Sequence, residues 1–187
     1  MKKIVIFASG AGSNAENIIA HFKNSNTANV VAVLTNNASA KVIERAENHG
    51  VSAFVFNKTE LSDGTVSQKI NALQPDLIVL AGFLLMFPKE IIENYPDKVI
   101  NIHPALLPKY GGKGMYGMKV HQSVLESDDS ETGITIHYVN EKYDEGAVIF
   151  QATTIVEDCT TAEEIAQKVH ELEYKHFPEV IEKLITQ

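Results

Sequence analysis

Positive charge is scarce in this chain. Its 16 Lys and Arg face 24 Asp and Glu, for a formal net charge of −8. No basic run stands out, so nucleic acid is excluded as an expected partner. Cysteine is nearly absent. Cys159 is the only one, which rules out a disulfide within the chain and a cysteine metal site, and fits a reducing cytoplasm. Long apolar runs are missing too. No segment approaches the length of a membrane span, so no membrane partner is expected. The N-terminal run at residues 4–8 ends at Ser9-Gly10, too short for the apolar region of a signal peptide with its cleavage site. Repeats, linkers and low-complexity segments are absent as well. What remains is a chain of 187 residues, 44% apolar, which suits one α/β domain over residues 1–187 with a core of its own.

Apolar strands and amphipathic helices alternate along it. Strands are predicted at residues 4–8, 30–34, 53–56, 77–81 and 98–102. Helices are predicted between them at 14–23, 40–49, 65–73 and 90–94. A helix at 119–126 and two strands at 135–139 and 147–155 follow. A long last helix opens near Thr161, where Glu163 or Glu164 can complete a capping box, and Pro178 interrupts its apolar stripe. The pattern predicts a doubly wound, mostly parallel sheet with helices on both faces and a mixed edge near the C-terminus.

Three stretches carry chemistry. Asn101-Ile102-His103-Pro104 closes the fifth strand, which puts Asn101 and His103 on one face and Ile100 and Ile102 on the other. An amide and an imidazole then stand together at the carboxyl end of a strand, where open α/β sheets bind ligands. Asn can donate to a developing oxyanion, and His can give or take a proton. Pro108 and Gly111-Gly112 keep the following segment a loop. Gly10-Ala11-Gly12-Ser13-Asn14 lies between the first strand and first helix, where backbone N–H groups make an anion site. The second strand ends in Thr35-Asn36-Asn37, without the acidic residue a dinucleotide's ribose requires. Asp144-Glu145-Gly146 is the third stretch. An Asp there is either a turn former or a carboxylate for a nearby imidazole, whose pKa it would raise. His137 is either a satisfied core histidine or a support behind the site. His21, His49, His121, His170 and His176 fall on helices and read as surface residues. No pair of histidines has metal spacing, so no metal is expected.

Asn101-x-His103-Pro104, with Leu106-Leu107-Pro108, Gly111 and Asp144-x-Gly146, resembles the signature of the folate-dependent formyltransferases. Gly12-Ser13-Asn14 resembles the branch of that family that acts on glycinamide ribonucleotide. The resemblance spans nearly the whole chain. It implies formyl transfer from 10-formyltetrahydrofolate, a co-substrate, to the amine of glycinamide ribonucleotide in purine biosynthesis, by direct attack through a tetrahedral intermediate. It implies catalytic roles for Asn101, His103 and Asp144. Gly12, Ser13 and Asn14 would hold the substrate phosphate, with His170 and Glu173 contacting the rest of that substrate. The folate would lie along Leu84, Leu85, Met86 and Phe87, beside Asn101, and along Asn140, Glu141, Lys142, Tyr143 and Asp144. Thr135 and His137 would support the catalytic groups from behind.

The chain departs from the family pattern in three places. Ala105 stands where many relatives have Ser. Leu85 stands where many have Arg, which leaves Lys58 as the cation for the folate's glutamate tail. The loop 113–119 is longer than in some relatives. Transformylation of methionyl-tRNA and hydrolysis of formyl-folate use the same Asn, His and Asp. Those relatives usually carry an extra domain, and none is expected in this chain. A non-catalytic nucleotide-binding module is the reading from a different class. Small-molecule substrates and a monomer or weak homodimer are expected.

Overall fold

A computed structural model describes residues 1–187. The elements run β1 (Lys2–Phe7), α1 (Ser13–Phe22), β2 (Ala28–Thr35), α2 (Val42–Asn48), β3 (Ser52–Val55), α3 (Lys58–Ser62) and α4 (Thr65–Leu73). Then come β4 (Leu77–Leu80), α5 (Lys89–Asn94), β5 (Val99–His103), α6 (Met118–Glu126), β6 (Glu131–Tyr138), β7 (Val148–Ile155) and α7 (Ala162–Thr186). The seven strands form one sheet in the order β3-β2-β1-β4-β5-β6-β7. The first five pair in parallel, and β6 and β7 add an antiparallel edge.

The alternation of β1 explains the layers. Ile4 and Ile6 point into one buried cluster with Ile18 and Phe22 of α1 and Ile165 and Val169 of α7. Val5 and Phe7 point into the other, with Leu61, Val66, Ile70 and Ile91 from α3, α4 and α5. Every other side chain of a strand buried on both faces must find a helix, and here each does. Phe7 meets Phe56, Phe83 and Phe87 edge to face, with ring centroids 5.9, 5.4 and 5.1 Å away. Those contacts fix the segment after β4 against the sheet. The chain order reverses between β1 and β4. The ends of these two strands and of β5 therefore open one crevice, the place such sheets reserve for ligands.

Several boundaries differ from the sequence expectations. Helix α3 was not foreseen, although Asn57 and Glu60 form a full capping box at its start. Strand β6 begins at Glu131 rather than 135, because Gly133 sits inside the strand instead of before it. A Cβ at Gly133 would run into the Ala152 carbonyl of β7. Helix α7 continues through Pro178 for 25 residues. A proline leaves the carbonyl four residues back without its helical donor. That carbonyl belongs to Tyr174, and Asn17 of α1 donates to it at 2.8 Å. A tertiary bond thus replaces the lost helical one. His121, a surface residue by the sequence pattern, is instead buried, on the inward face of α6 with Val120 and Val124.

Candidate active site

A cavity of about 660 Å³ opens at the carboxyl ends of β1, β4 and β5, within the range of small-molecule sites. Its wall combines the turn Gly10–Asn14, the segment 82–87, Asn101 and His103, the loop 112–118, residues of the loop after β6, and His170 and Glu173 of α7.

Strand pairing sets the positions of Asn101 and His103. Asn101 lies opposite His137 and His103 opposite Thr135 across the β5–β6 pair. His137 Nδ1 donates to the Tyr138 carbonyl at 2.8 Å, which leaves Nε2 as an acceptor. Asn101 Nδ2 donates to that Nε2 at 3.1 Å. Its second N–H sits only loosely, 3.5 Å from Asp144 Oδ1. His103 Nε2 donates to the Tyr110 carbonyl at 2.7 Å, which fixes its tautomer. Nδ1 then faces Asp144 Oδ2 at 3.5 Å. Asp144 is held from behind by the Gly112 N–H at 2.9 Å. Asp144 also sits 3.6 Å from His137 Nε2.

The electrostatics correct one expectation. Asp144 does pull the pKa of His103 upward, as does the Tyr110 carbonyl, but burial outweighs both. The His103 imidazole is therefore held below its ordinary range rather than above it. At 4% exposure the ring loses more from leaving water than the carboxylate returns. For Asp144, burial acts to raise its pKa, but the charge of His103 and the Gly112 N–H prevail and lower it. The carboxylate stays charged, and a proton on His103 is one the ring gives up readily.

Support comes from one hydroxyl. Thr135 Oγ1 donates to the Ala105 carbonyl at 2.7 Å and accepts the Leu107 N–H at 3.0 Å. Gln151 Nε2 donates to the same oxygen at 2.9 Å. Thr135 does not line the cavity; it pins the strap that carries Tyr110 back over His103.

The opposite wall is built by α1 and α7. Gly12 takes φ +73° ahead of α1, and a Cβ there would strike Val42. Glu173 is buried, accepting from Asn14 Nδ2 at 3.0 Å and His170 Nδ1 at 2.7 Å on the same oxygen. That bond raises the pKa of His170. Asn14 Oδ1 is buried without a partner.

Leu84, Leu85, Met86, Phe87, Asn140, Lys142 and Tyr143 also line the cavity. Two expected residues do not. Lys58 is exposed at the start of α3, away from the wall. The cations that reach the wall are Lys113 and Lys142. Glu141 points away, paired with Lys89 at 2.7 Å. No group of three His, Cys, Asp or Glu side chains is arranged to hold a metal ion. No helix is long and apolar enough to cross a membrane.

A family model described as "Formyl transferase" matches residues 2–181. The chain belongs to the formyl transferase family. It is 40% identical over 187 residues to a chloroplastic phosphoribosylglycinamide formyltransferase of Arabidopsis thaliana, covering 96% of this chain but only 64% of that protein. It is 36% identical to a phosphoribosylglycinamide formyltransferase of Bacillus subtilis, covering 99% of this chain and 95% of that one. The crystal structure of a Brucella melitensis phosphoribosylglycinamide formyltransferase superposes with a TM-score of 0.89 at 32% identity, covering 100% of this chain and 96% of that one. The mostly parallel sheet with its antiparallel edge is thus the formyl transferase fold.

The sequence reading missed two residues of this site, Ser9 behind the cavity wall and His121 on it. Ser9 is buried, donates to Asn36 Oδ1 at 2.6 Å and accepts the Leu84 N–H at 3.0 Å. It ties the glycine-rich turn to the segment after β4, and Asn36 uses the position where an acidic ribose residue was sought. His121 is the other. The spacing of Val120, His121 and Val124 on α6 was the signal that it faces inward.

Proposed function

We propose that this chain transfers the formyl group of 10-formyltetrahydrofolate to the amine of glycinamide ribonucleotide, giving formylglycinamide ribonucleotide and tetrahydrofolate in de novo purine biosynthesis. One observation carries the reading: Asn101, His103 and Asp144 meet in a cavity whose other end is the Gly12–Asn14 start of α1.

The roles follow from the bonds. Gly12, Ser13 and Asn14 open a ten-residue helix, so their N–H groups and the helix dipole suit the 5′-phosphate. Glu173 and the unpartnered Asn14 Oδ1 accept from the ribose hydroxyls, and His170 steadies Glu173. The segment 84–87 and the loop 140–144 suit the flat folate ring. Lys113 and Lys142 replace Lys58 as partners for its acidic tail.

Direct attack of the amine on the formyl carbon gives a tetrahedral oxyanion. The loosely held second N–H of Asn101 turns to it, and protonated His103 stabilises it. Protonated His103 gives its Nδ1 proton to the folate nitrogen, Asp144 Oδ2 takes the proton that leaves the amine, and Asp144 then returns a proton to Nδ1. No Ser or Cys nucleophile stands beside the trio, so no covalent enzyme intermediate forms. The chain works as one cytoplasmic domain on small molecules, as a monomer or weak homodimer.

The test is an absorbance assay of folate turnover with and without glycinamide ribonucleotide. Turnover should depend on the amine. Equal turnover without it would make the chain a hydrolase of formyl-folate.

A further inference from the structure

His121 has no part in the roles above, yet its position is costly. It is 4% exposed and lines the cavity. Its Nδ1 is sealed from solvent and has no partner. An orphaned buried N–H is among the rarest arrangements in proteins, and a bare acceptor is better tolerated. The proton of the neutral ring therefore rides on Nε2. Since Nδ1 is the sealed atom, the edge that faces the cavity is the one carrying Nε2–H.

The ring also stays neutral. Burial pushes its pKa down to about 4, the nearby charge of Glu173 from α7 opposes this, and His170 of α7 and His103 of β5 reinforce it. His121 is thus a hydrogen-bond donor of fixed tautomer and no charge between the catalytic imidazole and Glu173.

What such a donor meets follows from its neighbours. On this wall, Glu173 and Asn14 Oδ1 are acceptors, suited to hydroxyl groups. Asn101 and His103 face the formyl group. The one strong acceptor of glycinamide ribonucleotide left without a donor is the amide carbonyl beside its reacting amine. We infer that His121 is a specificity residue for the amine substrate, its Nε2–H donating to the glycinamide carbonyl oxygen. The inference rests on the proposed function, since it names the atom of that substrate which the site reads. A buried polar group left empty in the free protein and filled by the substrate discriminates strongly against analogues that cannot fill it.

The experiment compares wild type with His121→Leu, which removes the donor, and His121→Gln, which keeps an N–H near the place of Nε2. KM for glycinamide ribonucleotide should rise about tenfold in His121→Leu, the worth of one hydrogen bond of ordinary strength. In His121→Gln it should stay within about threefold of wild type on the same scale. Binding of a non-reactive formyl-folate analogue should be unchanged in both. A ligand-side arm needs no variant: a thioamide analogue, whose sulfur accepts poorly, should show a raised KM with wild type. It should lose that handicap with His121→Leu. Equal KM values for wild type and His121→Leu, a parallel loss of folate affinity, or a thioamide handled as well as the amide by wild type would each overturn the inference. Wild-type turnover separates the two claims. Its absence overturns both, while turnover with any of those three results overturns the role of His121 alone.

Discussion

Removing His121 should flatten an acid-sensitive part of the protein's stability. The ring titrates near 6.5 in an unfolded chain and near 4 in the fold, because burial disfavours its charged form. A folded pKa below the unfolded one means the unfolded chain binds the proton first as pH falls. Stability from this group is then intact above about pH 6.5 and is lost between about pH 6.5 and pH 4. Over the fall from about pH 7.5 to about pH 5, linkage gives a loss of about 2 kcal/mol, the free energy of the proton the unfolded state gains and the folded state refuses. Other groups titrate over the same range, so the difference between wild type and His121→Gln is the quantity to follow. Urea unfolding at the two pH values supplies it. The advantage of wild type over His121→Gln should shrink by about 2 kcal/mol on acidification. A difference that stays constant would mean that folded His121 takes up protons as freely as the unfolded chain, contrary to this expectation.

Four further variants probe the site. Asp144→Asn keeps the shape but removes the charge opposite His103 Nδ1, so kcat should fall about a hundred- to ten-thousand-fold, with KM values changing far less. Because Asp144 is the largest influence raising the His103 pKa against burial, the pH–rate profile of that variant should shift to lower pH. Glu173→Gln should weaken binding of glycinamide ribonucleotide and spare the folate analogue; equal effects on both, measured by calorimetry, would refute its assignment. Gly12→Ala forces a left-handed residue against Val42, which should cost about 2 kcal/mol or more in unfolding experiments and raise KM for the phosphorylated substrate. Thr135→Val leaves the Leu107 N–H and the Ala105 carbonyl without the hydroxyl between them, which should cost about 1–3 kcal/mol of stability and lower kcat through Tyr110 and His103.

What the sequence revealed was what local pattern controls. The alternation of Ile4, Val5, Ile6 and Phe7 announced a strand buried on both faces, and the two clusters lie there. Asn101 and His103 had to share a face because strands alternate, and they do line one cavity. What stayed hidden depended on partners distant in sequence. The carbonyl opposite Pro178 is satisfied only because α1 delivers Asn17, so nothing local told that α7 would continue. The lowered pKa of His103 came from the depth of burial, which the Asn-x-His-Pro stretch does not encode. Lys58 looked like a spare cation until α3 formed and carried it away from the cavity. The capping pair Asn57 and Glu60 was a local signal for that helix, and it was readable.

Formyl transfer to the ribonucleotide is tested most directly by following the formyl carbon itself. Purified protein is mixed with glycinamide ribonucleotide and 10-formyltetrahydrofolate carrying an isotopic label in the formyl group, and the products are resolved by mass spectrometry. The label should appear on the ribonucleotide's amine, and His103→Ala should sharply slow its appearance. Label released as free formate, or transferred as quickly by His103→Ala as by wild type, would contradict that expectation.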